Sequence, residues 1–530
     1  MNSALNHKRF RPRPLHTAAC WLGIVLFFAL CASPAISMFG LSFISDDGGL
    51  SFAHYRRLLA EPRQQSLLLN SVLLGTGAST LAILLGAPLG LLLGRSDVRG
   101  KTWWRLALVV PLVVPPYVLA LAWTQWAGAT GLPAEWTYSL TSAVCILGLS
   151  FYPLVMLATE AAARRVQASL EEAALLVAAP SRVAIKITLP LIAPAIAAAA
   201  LVVFVLALAE FGVPGLLRVN VFTTDVFTAF AALCDFGAAT ALSVPLLLVT
   251  LLAAVLAARL TGEARLTARQ SGRAGLALHL GGWRIVADGL LLFVLLVSVC
   301  LPLLALAREA ASLSRLVAAF KDSGDAVLNS LAWSSAGATL AVTLALLPAY
   351  ARARMKSQRA AQLFDLLFIT LFAVPGTVVG VGLIGLWNRP GTAAIYTSPL
   401  IIVLAYLTRF APVAALLLAA GMRQMPISLE EAAAVSGASW WRSFTRIVLP
   451  NLKSSLAAAW AVVFIFAFGE IGATILVAPP GEATLPVRLY TLIANTSASN
   501  VAALALTQVL IAVLPLALFA AFTHGKERAQ

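Results

Sequence analysis

Twelve apolar runs, each long enough to cross a bilayer as a helix, decide what this chain can fold into. Lipid offers the backbone no hydrogen-bond partner, so a spanning segment must satisfy its own N–H and C=O groups, and roughly 20 helical residues are needed to cross. Runs of that kind lie at 17–39, 67–93, 104–127, 138–160, 191–216 and 238–259, then at 285–307, 326–350, 361–387, 396–420, 451–478 and 501–523. A soluble core has no use for so much apolar surface: 60% of the 530 residues are hydrophobic, 11% are charged, and the mean hydropathy is +0.91. The sequence therefore predicts an all-α, polytopic membrane protein. Lys8, Arg9, Arg11 and Arg13 precede the first run as in a signal peptide, but the run is long and more follow, so it is read as a retained first helix.

The net charge of +15 does not point to nucleic acid, because the basic residues stand in short clusters between the runs, where they report topology. Of the 37 Lys and Arg, 27 lie in or beside the segments that are cytoplasmic if the N-terminus is inside. Nine lie on the opposite side, and Arg409 lies inside a run. This bias predicts that both termini are cytoplasmic. The five cysteines (Cys20, Cys31, Cys145, Cys234, Cys300) are isolated and form no metal-like pairing with the five histidines, so they are read as packing residues. No metal site or cofactor is expected.

The chain is a tandem duplication. Asn70-Ser71 matches Asn329-Ser330 and Glu172 matches Glu431 at an offset of 259, while Val202–Gly212 matches Val462–Gly472 at 260. Each half carries an even number of runs, so the halves are expected to lie parallel about a two-fold axis along the membrane normal, with a transport path between them. The first repeat spans 1–262, a Gly- and Arg-rich linker 263–283, and the second repeat 284–530.

One polar segment occurs in both halves, "SLEEAALLVAAPSRVAIKITLP" (Ser169–Pro190) and "SLEEAAAVSGASWWRSFTRIVLP" (Ser428–Pro450), within loops 162–190 and 421–450. Ser169 and Ser428 precede Glu172 and Glu431 by three residues, the spacing of a capping box. Ala173, Ala174, Ala432 and Ala433 leave a face of little bulk, open to close approach by another protein. Gly437 suits a left-handed helix end, and Trp440, Trp441, Phe444 and Ile447 form a second amphipathic helix. A single copy could be no more than an interfacial connector. Two copies on the same side favour docking to a cytoplasmic partner.

Glu431-Ala432-Ala433, Gly437 and Ile447-Val448-Leu449-Pro450 resemble the EAA loop of permease subunits in binding-protein-dependent ATP-binding-cassette importers. The resemblance implies that Glu172 and Glu431 face two cytoplasmic ATPase subunits, where ATP is hydrolysed, so the chain itself is not an enzyme. It also implies an external solute-binding protein and a bacterial inner-membrane location. With two loops in one chain, the sequence is similar to the fused permeases for ferric iron, thiamine and some phosphonates, and ferric iron is the favoured substrate. The first copy departs from the pattern: Ala178 stands in place of Gly437, Pro180 follows it, and the glutamate-to-proline distance is one residue shorter.

Two other features are weighed against this reading. "GRSDVRGKT" (Gly94–Thr102) has five residues between its glycines where a phosphate-binding loop needs four. It also faintly resembles a basic loop of the major facilitator superfamily, which makes a secondary transporter the rival, but that rival leaves the repeated loop unexplained. Within the apolar runs, Arg409 must face protein or a water-filled path, since charge is costly in lipid, and it is read either as a structural ion pair or snorkelling side chain or as a residue of the transport path. Glu210 and Glu470 lie roughly 30 Å beyond Pro190 and Pro450 at 1.5 Å per residue. They are candidates for the outer mouth of the pathway or, alternatively, acceptors for backbone groups at helix ends.

Overall fold

The computed structural model describes residues 14–43, 49, 52, 55–56, 61–233, 235–268 and 280–527. The four basic residues before the first run, Cys234 and most of the 263–283 linker lie outside these. Among the described residues there is no β-strand. Eight helices are long and apolar enough to cross a bilayer alone, and three bent pairs raise the number to at most eleven. The last run belongs to the helix Ala498–Glu527, whose part Ala498–Leu514 is a shorter apolar helix. The described residues thus give eight to eleven spans where the runs predicted twelve.

The difference has a local cause. In each half the third apolar run is two helices, Lys101–Val113 with Pro116–Thr130 bent by 91°, and Gln358–Ala373 with Gly376–Trp387 bent by 87°. A proline crowds the residue before it out of the helical region. Accordingly Val114, before Pro115, has φ −76° and ψ 127°, and Val374, before Pro375, has φ −63° and ψ 122°. The run 451–478 is broken as well: Trp440–Asn451 and Lys453–Phe468 meet at 70°.

The two halves exchange their first helices. Pro14–Leu41 packs on second-half helices, chiefly Gly376–Trp387 and Gly324–Arg354. The approach is close enough that a Cβ on Gly382 would stand 2.1 Å from the Pro34 carbonyl oxygen, so only glycine fits there. Phe27 meets Phe368 edge to face at 5.6 Å. Reciprocally, the segment Gly281–Ala310 packs on the first-half helices Lys101–Val113 and Pro116–Thr130, besides the second-half helix Ala498–Glu527. There Tyr152, held by the Leu108 carbonyl at 2.9 Å, lies 3.3 Å from the Ser298 hydroxyl. Large apolar side chains such as Leu22, Leu84 and Ile285 remain exposed on the outside of the bundle. That is the composition a lipid-facing surface requires. The described cysteines are free thiols; Cys31 is buried as a packing residue would be, whereas Cys145 is exposed.

Candidate functional site

The second loop begins where Leu400–Gln424 ends. Pro426 stops that helix, and the next one, Ser428–Val435, starts from a backbone turn in which the N–H groups of Glu430 and Glu431 donate to the Ile427 carbonyl at 3.0 and 3.1 Å. Ile427 is the N-cap and Ser428 is already inside the helix, so the expected capping box does not form. In the first loop the helix Ala168–Leu175 starts at Gln167, again without a side-chain cap. The capping serine of this region is Ser439, whose hydroxyl accepts the Arg442 N–H at 3.3 Å and opens the helix carrying Trp440 and Trp441.

Gly437 behaves as the sequence predicts. Its φ is +78°, and the Ala438 N–H reaches back to the Ala433 carbonyl (2.9 Å) while its own N–H meets Ala434 (3.0 Å), the bond pair of a Schellman helix end. A Cβ there would touch nothing within 4 Å, so the glycine is needed for its backbone and not for space. The first loop turns differently. The N–H groups of Val177 and Ala178 both fold onto the Ala174 carbonyl at 3.1 and 2.9 Å without a left-handed residue, and a short helix restarts at Pro180. Both second helices then widen into a π turn, Ala184–Thr188 and Phe444–Val448, just before Leu189-Pro190 and Leu449-Pro450. A proline lacks the N–H and collides with the preceding turn, which one extra residue per turn accommodates.

Glu172, Ala173, Glu431, Ala432 and Gly437 are exposed, while Ala174, Ala178 and Ala433 are half-buried. Beside them Leu176 and Val177 in the first loop, and Val435 and Trp441 in the second, are exposed. Contiguous exposed apolar groups of this kind are the composition of an interaction surface.

The neighbouring glutamates, which sequence reasoning missed, point inward. Glu171 is buried, pairs with buried Arg95 and accepts the Thr188 hydroxyl at 2.7 Å. Glu430 pairs with Arg354 (Nε to Oε1 2.8 Å) and accepts the Tyr350 hydroxyl at 2.7 Å; Tyr350 in turn accepts the Trp440 indole N–H at 3.1 Å. The signal was present in the repeat, because Arg95 and Arg354 are separated by the same 259 residues as Glu171 and Glu430.

The three membrane-embedded candidates line one cavity of about 80 Å³, walled by the break at Val114-Pro115-Pro116 and by Phe410 and Phe466. Arg409 Nη1 donates to Glu470 Oε1 at 2.5 Å. Glu470 also accepts the Ala473 and Thr474 N–H groups at 2.9 and 3.1 Å, and Glu210 accepts the Gly212 N–H at 3.0 Å. The glutamates are thus acceptors for backbone groups at helix ends, one of the two alternatives the sequence offered, and they also line this cavity. A Cβ on Gly376 would lie 2.0 Å from Arg409 Nη1, so glycine is what lets the broken helix come this close. The first half has Leu149-Ser150 where the second has Arg409, and a single arginine therefore stands beside two carboxylates. The straight 30 Å rise expected to Glu210 fits the unbroken helix Leu189–Ala209. To Glu470 it does not, because the 70° bend interrupts the path.

The family described as binding-protein-dependent transport system inner membrane component matches the chain twice, over residues 86–264 and 337–525. An Fe(3+)-transport system permease protein of Haemophilus influenzae is 27% identical over 448 residues, covering 82% of this chain and 85% of that protein. A ferric transport system permease protein of Actinobacillus pleuropneumoniae is 24% identical over 487 residues, covering 85% of this chain and 70% of that protein. A molybdenum transport system permease protein of Mycobacterium tuberculosis is 33% identical, but over 164 residues, 29% of this chain and 62% of that protein. Two family matches across a duplicated helical bundle, each containing one of the paired loops, give the conclusion that this chain belongs to the binding-protein-dependent transport-system permeases and carries the family's domain twice.

Proposed function

We propose that this chain forms the whole membrane pathway of an ATP-driven importer, with residues 1–262 and 284–530 as its two permease repeats and 263–283 as their linker. Two cytoplasmic ATP-binding-cassette subunits dock on the loops, and a solute-binding protein delivers substrate on the opposite side of the bacterial inner membrane. Both termini are cytoplasmic. The observation that carries this reading is the pair of helix-turn-helix loops with Glu172 and Glu431 exposed among small alanines and apolar side chains. The contacts to the ATPases come from Glu172, Ala173, Ala174 and Ala178 in the first loop, and from Glu431, Ala432, Ala433 and Gly437 in the second. ATP binding draws the two ATPases together, the loops follow, and the halves rock about the cavity between the broken helices, exposing it to each side in turn. Hydrolysis belongs to the partner, and no cofactor is assigned to this chain.

The substrate we infer is ferric iron. Two observations support it: the relatives similar over most of their length are named for ferric transport, and the cavity holds two carboxylates against one arginine. The Glu470 bond satisfies the charge of Arg409, which leaves Glu210 to favour an entering cation over an anionic phosphonate. Thiamine, also cationic, is the competing substrate.

The test is uptake in proteoliposomes containing the chain, the ATPase and the binding protein. ATP-dependent accumulation of radioactive ferric iron is expected, with no response to a proton gradient. Accumulation driven by the gradient without ATPase would return the secondary transporter, and ATP-driven uptake of thiamine alone would overturn the iron assignment. Orientation is checked separately in intact cells. Cysteines at Ser169 and Ser428 should react with an impermeant thiol reagent only from the cytoplasmic side.

A further inference from the structure

The docking reading leaves open how an eight-residue loop helix moves a membrane bundle. A helix so short is marginal in water and, joined at both ends by turns, would tilt under load instead of transmitting it. The structure ties each loop helix down at one point. Adjacent residues on a helix point about 100° apart, so while Glu172 and Glu431 face outward, Glu171 and Glu430 face inward to Arg95 and Arg354. These arginines are the last residues of Pro62–Arg95 and Gly324–Arg354, long helices that each run through an internal proline, Pro88 and Pro348, without the sharp breaks found elsewhere.

At their far ends, roughly 36 Å away at 1.5 Å per residue, the same two helices carry a second matched link. The Ser71 hydroxyl accepts the Phe222 N–H at 3.0 Å, and the Ser330 hydroxyl accepts the Leu485 N–H at 2.6 Å. Phe222 opens the segment just after the first cavity glutamate, and the next residue, Thr223, donates to the Glu210 carbonyl at 2.9 Å. Both links recur at an offset of 259 in the arginines and serines.

Resting on the coupling reading above, we propose that Pro62–Arg95 and Gly324–Arg354 are rigid rods. The Arg95–Glu171 and Arg354–Glu430 pairs fasten the loops to these rods, and Ser71 and Ser330 fasten the rods to Phe222–Ala231 and Leu485–Asn495, the helices that follow the cavity glutamates in the chain, the first of which Thr223 ties directly to Glu210. Glu171, Glu430, Arg95 and Arg354 are then positioning residues: they touch neither substrate nor ATPase, yet carry the stroke between them. A merely structural pair would change yield or melting temperature. A coupling pair changes how ATP hydrolysis answers to the loaded binding protein.

The experiment uses the full complex with ATPase and binding protein, comparing Arg354→Gln, Glu430→Gln and the milder Ser330→Ala and Tyr350→Phe. The expected result is that ATPase co-purifies at the wild-type ratio and basal hydrolysis stays measurable. Stimulation by the loaded binding protein and uptake should fall at least tenfold in the first two variants and a few-fold in the others. An Arg354→Cys, Glu430→Cys protein joined by a short bis-methanethiosulfonate reagent, in which each cysteine thiolate displaces a methanesulfinate to form a disulfide, should regain stimulation and lose it again on reduction. Stimulation within twofold of wild type in Arg354→Gln and Glu430→Gln overturns the proposal, as does a linked protein that stays unstimulated. ATPase lost from these variants but kept in Glu431→Lys also overturns it, by making Glu430 a docking residue. If Arg354→Gln yields no protein, Ser330→Ala and the linked pair decide by the same criteria. Absence of ATPase from the wild-type complex is a different failure, because it removes the importer reading itself.

Discussion

Loop one and loop two descend from one segment and hold the same inward glutamate, yet each is braced in its own way. Loop two ends its first helix on a left-handed glycine and buries Trp440 and Phe444 against Tyr350, whose hydroxyl joins the Glu430 pair. Loop one has no left-handed residue there. Its ion pair is more deeply buried and leans on Thr188, beside an apolar cavity of about 400 Å³ lined by Leu91, Leu175, Trp283 and Leu290. Both loops keep the anchor and differ in the packing around it. The inward charge pair and the outward Glu-Ala-Ala are thus common to both loops, and the turn and the packing around the pair are where the halves have diverged.

The largest effect should fall on the outward glutamates. Glu431→Lys is expected to abolish uptake and release the ATPase, whereas Glu172→Lys should lower uptake only several-fold, with both read by co-purification and transport in the same membranes. Equal damage would mean that the turn geometry of loop one does not weaken its docking. The next effect is on stability. Removing one partner of a buried ion pair costs about 3–5 kcal/mol because the other charge is left stranded. Arg95→Met should therefore lower the melting temperature in detergent more than Arg354→Met, because the first pair is the more deeply buried and each stranded glutamate keeps one hydroxyl donor.

A smaller change tests the turn. Gly437→Ala forces a Cβ into the left-handed region at about 1–2 kcal/mol, and it should weaken ATPase retention. Ala178→Gly, at a position without a positive φ, should leave retention unchanged. The smallest contrast concerns the caps. Ser439→Ala should cost about 1 kcal/mol of loop stability, measured by hydrogen exchange across residues 439–448, and Ser428→Ala should cost almost nothing. A large loss from Ser428→Ala would restore the capping box that the backbone turn replaces.

The sequence carried part of this legibly. Gly437 could be read because few residues besides glycine end a helix in the left-handed region, and the offset of the repeat exposed the loops and the cavity glutamates together. The broken helices at Pro115 and Pro375 were hidden inside continuous apolar runs, because hydropathy measures how greasy a segment is and not whether it stays straight. The Ser-x-x-Glu spacing misled, since a turn at Pro426-Ile427 had already occupied the first N–H groups of the helix. The Arg95–Glu171 and Arg354–Glu430 pairs lay open to the same offset comparison, had it been extended from the outward glutamates to their neighbours. Nothing in a single sequence tells which half an amphiphilic or wholly apolar helix will pack on, so the exchange of first helices was not foreseeable.

That exchange sets a schedule for the ribosome. Pro14–Leu41 is made among the first segments, but its partners from Gly324 onward emerge roughly 280 residues later, about 15–60 s at 5–20 residues per second. Through that interval the first helix must wait in the bilayer with its intended face turned to lipid or to an insertion factor. A single fused chain ensures that the awaited partner always follows on the same polypeptide, whereas two separate half-length permeases would have to meet by diffusion before either first helix found its seat.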